Sequence, residues 1–247
     1  MSRFTTFVKE FPNSHQAVAV RTGAEANPAF IAEALELPTS SGLLLLSGGA
    51  GLMSEGLLDQ LLLLFTVVAE TLAREQVTVI DGGTQAGVMQ MMGEALARAG
   101  RTAPYIGVLP AHAEVEPGGP HGEDILEPHH SHFVLIESDQ WGSESKIMCD
   151  LATYLSTQAP SLVLLVNGGE IALQDIEWNV RQGREIVVLV GSGRLADEIA
   201  AAVRQPERRT QDRIATLVRE GRITLFDIAD GPEALAALIR RRLFEER

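Results

Sequence analysis

The chain has 247 residues, 45% of them hydrophobic, which is enough for one large domain with a two-sided core. Its formal net charge of -13 disfavours nucleic acid and anionic membrane surfaces as partners, because the basic residues cluster only in short C-terminal runs ("RQPERR", "RRR") that read as solvated helix faces. A single cysteine, Cys149, excludes an intrachain disulfide and fits a reducing cytoplasm.

The opening "MSRFTTFVKEF" has neither the apolar core nor the cleavage site of a secretory leader, so a soluble, cytoplasmic protein is expected. Short β-branched runs then alternate with amphipathic helical stretches. Strands are expected at 17–20, 43–47, 77–81, 105–110, 132–137, 161–166, 185–190 and 223–226. Helices are expected at 27–36, 53–74, 86–100, 143–157, 171–182, 194–204, 207–220 and 232–244. That rhythm predicts an α/β fold, a doubly wound and mainly parallel sheet with helices on both faces. Residues 1–204 make the main domain, and 205–247 read as an αβα extension packed on it. The run 53–74 carries Asp59, Gln60 and Glu70 within its leucines, so it reads as a buried helix or a face for a second copy, not a membrane span. A homo-oligomer is expected. One connection, 111–131, is long and rich in Pro, Gly, His and acid, and could act as a lid.

Four strands run into glycines and then into helices: Gly48-Gly49, Gly82-Gly83, Gly168-Gly169 and Gly191/Gly193. In an open parallel sheet this is the edge where ligands bind. Glycine lets the backbone approach closely, and the following helix offers unpaired N–H groups to an anion. The competing explanation is tight packing of helix on strand. No turn matches GxGxxG or GxxxxGK[ST], and GxSxG, HExxH and paired cysteines are missing, so nicotinamide, ATPase, triad-hydrolase and zinc-protease chemistry lack support.

Around the turns, "PHHSHF" places His130 and His132 on one face of a strand and His129 on the other, suited to hydrogen bonding at the sheet edge more than to a metal. No metal or cofactor is expected to be required. In "WGSESKIM", Ser143 is a plausible helix cap, Glu144 could face a ribose hydroxyl and Trp141 could stack on a base. Arg194, in "GSGRLAD", suits a phosphate contact or an ion pair with Asp197.

In this order, "LLSGGA", "VTVIDGGTQAGVMQMMGEA", "HHSHFVLIESD", "LVLLVNGGEIALQDI" and "VVLVGSGRLADEIA" resemble the SLOG superfamily. They are most similar to its LSDAT branch, shared by prokaryotic stand-alone proteins and the cytoplasmic N-terminal region of melastatin-type TRP channels. The resemblance runs from about Gly42 to Val203. It implies a Rossmann-like fold that binds a nucleotide-derived ligand, ADP-ribose-like or NAD-related, as a sensor, with a separate membrane effector as a possible partner. Its motif positions fall on Gly48, Gly49, Gly82, Gly83, Thr84, Gly87, His130, His132, Gly168, Gly169, Gly193 and Arg194. The lonely-guy phosphoribohydrolases of the same superfamily carry PGGxGTxxE. Here the stretch is "NGGEIALQD", with Asn167, Ile171, Ala172 and Asp175 in place of Pro, Gly, Thr and Glu. Those replacements argue against that reaction. If the chain is instead a nucleotide N-glycosidase, its carboxylate is Glu144, Glu170 or Asp175.

Overall fold

A computed structural model describes residues 4–49, 53–114, 126–207 and 212–245. The strands are β1 (Thr5–Glu10), β2 (Gln16–Thr22), β3 (Leu43–Gly48), β4 (Thr78–Asp81), β5 (Tyr105–Pro110), β6 (His132–Ile136), β7 (Ser161–Val166), β8 (Glu185–Val190) and β9 (Arg222–Asp227). The helices are α1 (Pro28–Ala34), α2 (Glu55–Arg74), α3 (Gly87–Arg98), α4 (Ser145–Leu155), α5 (Glu170–Arg181), α6 (Arg194–Arg204), α7 (Asp212–Glu220) and α8 (Pro232–Phe244).

The described strands form one sheet in the order β1-β2-β6-β5-β4-β3-β7-β8-β9. Every pair is parallel except β1 with β2. The doubly wound α/β class is therefore the observed one. The run β5-β4-β3-β7-β8-β9 follows the 3-2-1-4-5-6 order of dinucleotide-type folds. The central strands are apolar throughout because both faces are covered. Alternate residues Leu43, Leu45, Val163, Leu165, Ile186 and Val188 pack in one layer with residues of α1, α4, α5, α6 and α7. Their neighbours Leu44, Leu46, Leu162, Leu164, Val187 and Leu189 pack with α2, α3 and α8 on the other face. A smaller cluster joins Phe11, Ala17 and Ala19 to Phe133 and Leu135.

Periodicity missed β1. "TTFVKE" is short, largely exposed and charged at its end, and it is a strand only because β2 pairs with it. The helix expected at 207–220 begins at Asp212 among the described residues, and β9 adds to the sheet beside β8. Most of the expected lid, 115–125, lies outside the described residues. Helix α2 is long and apolar enough to cross a membrane by length and composition, yet Leu61, Leu64, Phe65, Val68 and Leu72 are buried in the layer over the sheet.

Candidate functional site

Strand β3 is the switch point. The chain leaves it for β4 on one side, and its other neighbour, β7, arrives only after β6. Gly48 is there for packing, since a Cβ would collide with the Val166 carbonyl and lie 2.8 Å from the Val88 side chain. Gly49 faces the β7 turn, where a Cβ would be 3.6 Å from Gly168 Cα and 3.7 Å from Arg194 Nη1. A Cβ on Gly169 would meet Arg194 Nη2 at 2.6 Å, so the guanidinium lies over both glycines. Two pairs of adjacent turn positions hold unusual backbone: Asn167 (φ 58°) with Gly168 (φ 98°), and Gly193 (φ 97°) with Arg194 (φ 45°). Two of them are not glycine. Such strain is kept where surrounding structure enforces it.

Helix α5 opens at Gly169 with no side-chain cap, and α3 opens at Ala86 without one. Gly87, the first residue of α3, has φ 52°. Val88 touches the Gly48 position and Gly168 the Gly49 position, so two uncapped helix starts flank the β3 turn. The third helix start is already filled. In α6 the Ala196 N–H donates to the Asn167 carbonyl (3.0 Å), and Asp197 accepts from Gly191 N–H (2.6 Å) and Gly193 N–H (3.1 Å). Asp197 is therefore a backbone cap, and Arg194 makes no ion pair among the described residues. Gly168, Gly169, Glu170, Leu173, Arg194, Leu195 and Glu198 line a cleft of about 220 Å³ at this point. The uncapped N–H groups that open α5 and the Arg194 guanidinium suit an anion seated there, beside the Glu170 and Glu198 carboxylates that line the same cleft.

Beside the seat lie two buried carboxylates. Asp175, one and a half turns into α5, accepts a hydrogen bond from Ser47 Oγ at 2.9 Å. Its Oδ1 and the Ser145 hydroxyl meet no partner at full hydrogen-bonding geometry. Burial pushes its pKa up to about 6, against the pull of the nearby Ser145 and Ser47 hydroxyls. Glu144 accepts from Gly142 N–H at 2.8 Å, and burial, reinforced by Asp175, pushes it up to about 7. Glu170 lines the cleft itself, exposed and paired with Arg213 of α7. Ser143 does not cap α4; its hydroxyl donates to the Gln140 carbonyl (2.7 Å), and the helix starts at Ser145 with Glu144 as its first flanking residue.

The β4 turn does a different job. Asp81 accepts from Gly83 N–H (2.7 Å), from Tyr105 Oη (2.5 Å) and from His130 Nε2 (2.9 Å). His130 Nδ1 meets Glu127 at 2.9 Å, and its ring stacks on Tyr105 with centroids 3.6 Å apart. Asp81 and Glu127, outweighing burial, raise the His130 pKa to about 9. The imidazolium is fully enclosed and has no surface to offer a ligand. His132 points to the opposite face, toward Leu35, and burial lowers its pKa to about 4. The two histidines therefore do not share a face: Ser131, bonded to Tyr105, interrupts the alternation before β6 begins. Gly83 is a packing glycine with φ 66°, against Gly107. Gly82 has open space at its Cβ position. Thr84 bridges to Leu126 and, with Gln85, Ala86, Gln90 and Trp141, lines a separate cleft of about 800 Å³ that adjoins the start of α3.

Sequence reading passed over Asp81 and Ser47, and took Glu127 for an ordinary acid beside the histidines. The available signal was an acid or hydroxyl closing an otherwise apolar strand, as in "VTVID" and "LLLLS".

The family model described as SLOG in TRPM, prokaryote, matches residues 41–237, through β9 and into α8. Transient receptor potential cation channel subfamily M member 2 of Mus musculus is 26% identical over 167 residues, covering 52% of this chain and 11% of the channel. Subfamily M member 5 of Homo sapiens is 36% identical over 113 residues, covering 40% of this chain and 10% of the channel. The chain thus spans about a tenth of the length of the curated relatives it matches.

Proposed function

We propose a ligand-sensing role for this chain, which belongs to the prokaryotic SLOG-in-TRPM family and carries that family's nucleotide-related Rossmann-like domain. The ligand is a nucleotide diphosphate of the ADP-ribose or NAD class. Its phosphates sit at Gly49, between the uncapped starts of α3 and α5, under the Arg194 guanidinium. The single observation that carries this reading is the convergence of those two helix starts and the Arg194 guanidinium on one glycine turn. Phosphate recognition by backbone N–H groups with a cation opposite follows from the helix dipole and charge-assisted hydrogen bonding. The wider cleft from Thr84 to Trp141 takes the base end, and Glu144 a ribose hydroxyl. Gly82, Gly83, His130 and His132 hold the scaffold on this reading. The protein works in the cytoplasm and passes its signal to a separate, membrane-bound effector.

A second reading, nucleotide N-glycosidase, draws support from the buried Glu144 and Asp175, because carboxyls raised toward neutrality suit general acid chemistry. Thermal-shift measurements with ADP-ribose, cyclic ADP-ribose, NAD, AMP and ATP, followed by mass spectrometry of each mixture, separate the two. A ligand at a hundred times its Kd adds about 2.7 kcal/mol. A shift with intact ligand, lost in Arg194→Ala, supports sensing. Base release abolished by Glu144→Gln makes it an enzyme, and neither shift nor cleavage overturns both readings.

A further inference from the structure

In α2, α3, α5, α6, α7 and α8 the last turn carries an arginine, which faces the negative end of the helix dipole. The other two helices, α1 and α4, have no basic residue there. Both end at one groove of about 720 Å³, beside the amino ends of β3 and β7. Phe30 and Tyr154, 55% and 43% exposed, stand in its lining with Leu37 and Leu155. Glu33 and Glu36 supply its charge; both are exposed, and neither has an ion-pair partner among the described residues. Glu33 lies in the last turn of α1, where the dipole disfavours an acid. No lysine, arginine or histidine lines the groove among the described residues. Two uncompensated dipole ends, two free carboxylates and two open aromatic rings therefore meet in one place.

We propose that this groove docks a basic segment of a partner protein, anchored by arginine side chains. An arginine answers every feature at once: its guanidinium pairs with a carboxylate, stacks on an aromatic ring and compensates a helix C-terminus. Glu33 and Glu36 stand three residues apart at the end of α1, so one segment can meet both. The arginine stems, and apolar residues between them, cover Leu37 and Leu155. A small free cation would leave those walls in water. The net charge of -13 adds attraction at longer range. A second copy of this chain suits the groove less, because Arg240 and Arg242 of α8 are already paired with Glu75, Glu245 and Glu185. The groove lies at the opposite edge of the sheet from the glycine turns, so docking here does not require a ligand in the cleft.

Fluorescence anisotropy of a labelled peptide, acetyl-Gly-Arg-Ala-Arg-Leu-Gly, titrated with the full chain at physiological salt tests the proposal. A dissociation constant below about 1 mM is expected. Glu33→Arg weakens binding at least about tenfold, because an attraction becomes a repulsion. Tyr154→Ala weakens it about threefold, and Tyr154→Phe keeps it. Glu70→Arg makes the same charge change at an exposed position of α2 and alters binding less than about twofold. Circular dichroism confirms that each variant is folded. Five results overturn the proposal: no binding below about 1 mM, equal binding of a peptide with glutamates for arginines, a loss in Glu70→Arg as large as in Glu33→Arg, displacement of the peptide by spermidine at comparable concentration, or self-association in sedimentation velocity that Glu33→Arg abolishes. The third would make the attraction diffuse, the fourth would give the groove to a small polyamine, and the fifth to a second copy.

Discussion

Replacing Glu144 by Gln makes the protein more stable above neutral pH relative to the native chain, and the size of the effect follows from the site. Glu144 is 5% exposed, and its pKa is raised from 4.5 to about 7 by burial and by the neighbouring Asp175. A raised folded-state pKa means the folded protein holds a proton that the unfolded chain has released. The stabilisation is complete below pH 4.5 and is lost as the pH rises through about 7. At 1.36 kcal/mol per pKa unit, that loss is on the order of 3 kcal/mol. Glutamine keeps the shape of the protonated acid and can still accept from Gly142 N–H, but it never ionises. The gap between variant and native chain should therefore widen by roughly 3 kcal/mol between pH 4.5 and 8, about 6–12 °C in Tm for a domain of this size. Urea titrations at several pH values give the curve directly. Parallel profiles for the two proteins would refute the argument, since they would mean that Glu144 ionises in the fold as easily as in water.

Four other outcomes follow from the same structure. The His130 imidazolium between Asp81 and Glu127 should remain protonated at pH 8, visible in its ring NMR shifts; its stabilisation, complete below pH 6.5, should fade as the pH rises through about 9. His130→Ala leaves two facing buried carboxylates and should lower stability by about 3–5 kcal/mol in denaturant titrations, whereas a change near zero would mean that the network is incidental. Gly93→Ala puts a methyl into the space of the Glu127 carboxylate, so it should cost about 1–3 kcal/mol in the same titrations despite the better helix propensity of alanine. Gly169→Ala displaces the Arg194 side chain from the β7 turn and should weaken ADP-ribose binding at least about tenfold by calorimetry while leaving Tm within a few degrees, and unchanged affinity would remove Arg194 from the site.

The sheet could be read from the sequence because buried parallel strands such as "LLLLS" and "SLVLLV" are apolar on both faces and end in glycine. β1 could not: its pattern is ordinary surface sequence, and its identity depends on a partner strand. Sequence also placed the four glycine turns at one edge of the sheet, but it could not rank them. Gly83 and Gly169 look alike in sequence. One is packed against Gly107 under the Asp81 network, and the other lies beneath the Arg194 guanidinium. The difference comes from residues far along the chain, Glu127 and His130 for one and Arg194 for the other. The histidine alternation failed for a local reason, because a serine hydrogen bond just before β6 breaks the period of two.

The pairing of β3 with β7 also has a consequence for the order of events during synthesis. Gly49 is made early, but the turn it faces is separated from it by four strands, and Arg194 emerges later still. None of the three can form a seat alone. Contacts between distant segments close late, after the loop entropy between them has been overcome. On the proposed reading, a nascent chain should therefore be unable to bind a nucleotide until β8 and the first turn of α6 have left the ribosome. Ligand added during refolding should slow unfolding far more than it speeds folding. Competence to bind arrives only when the sheet is nearly whole.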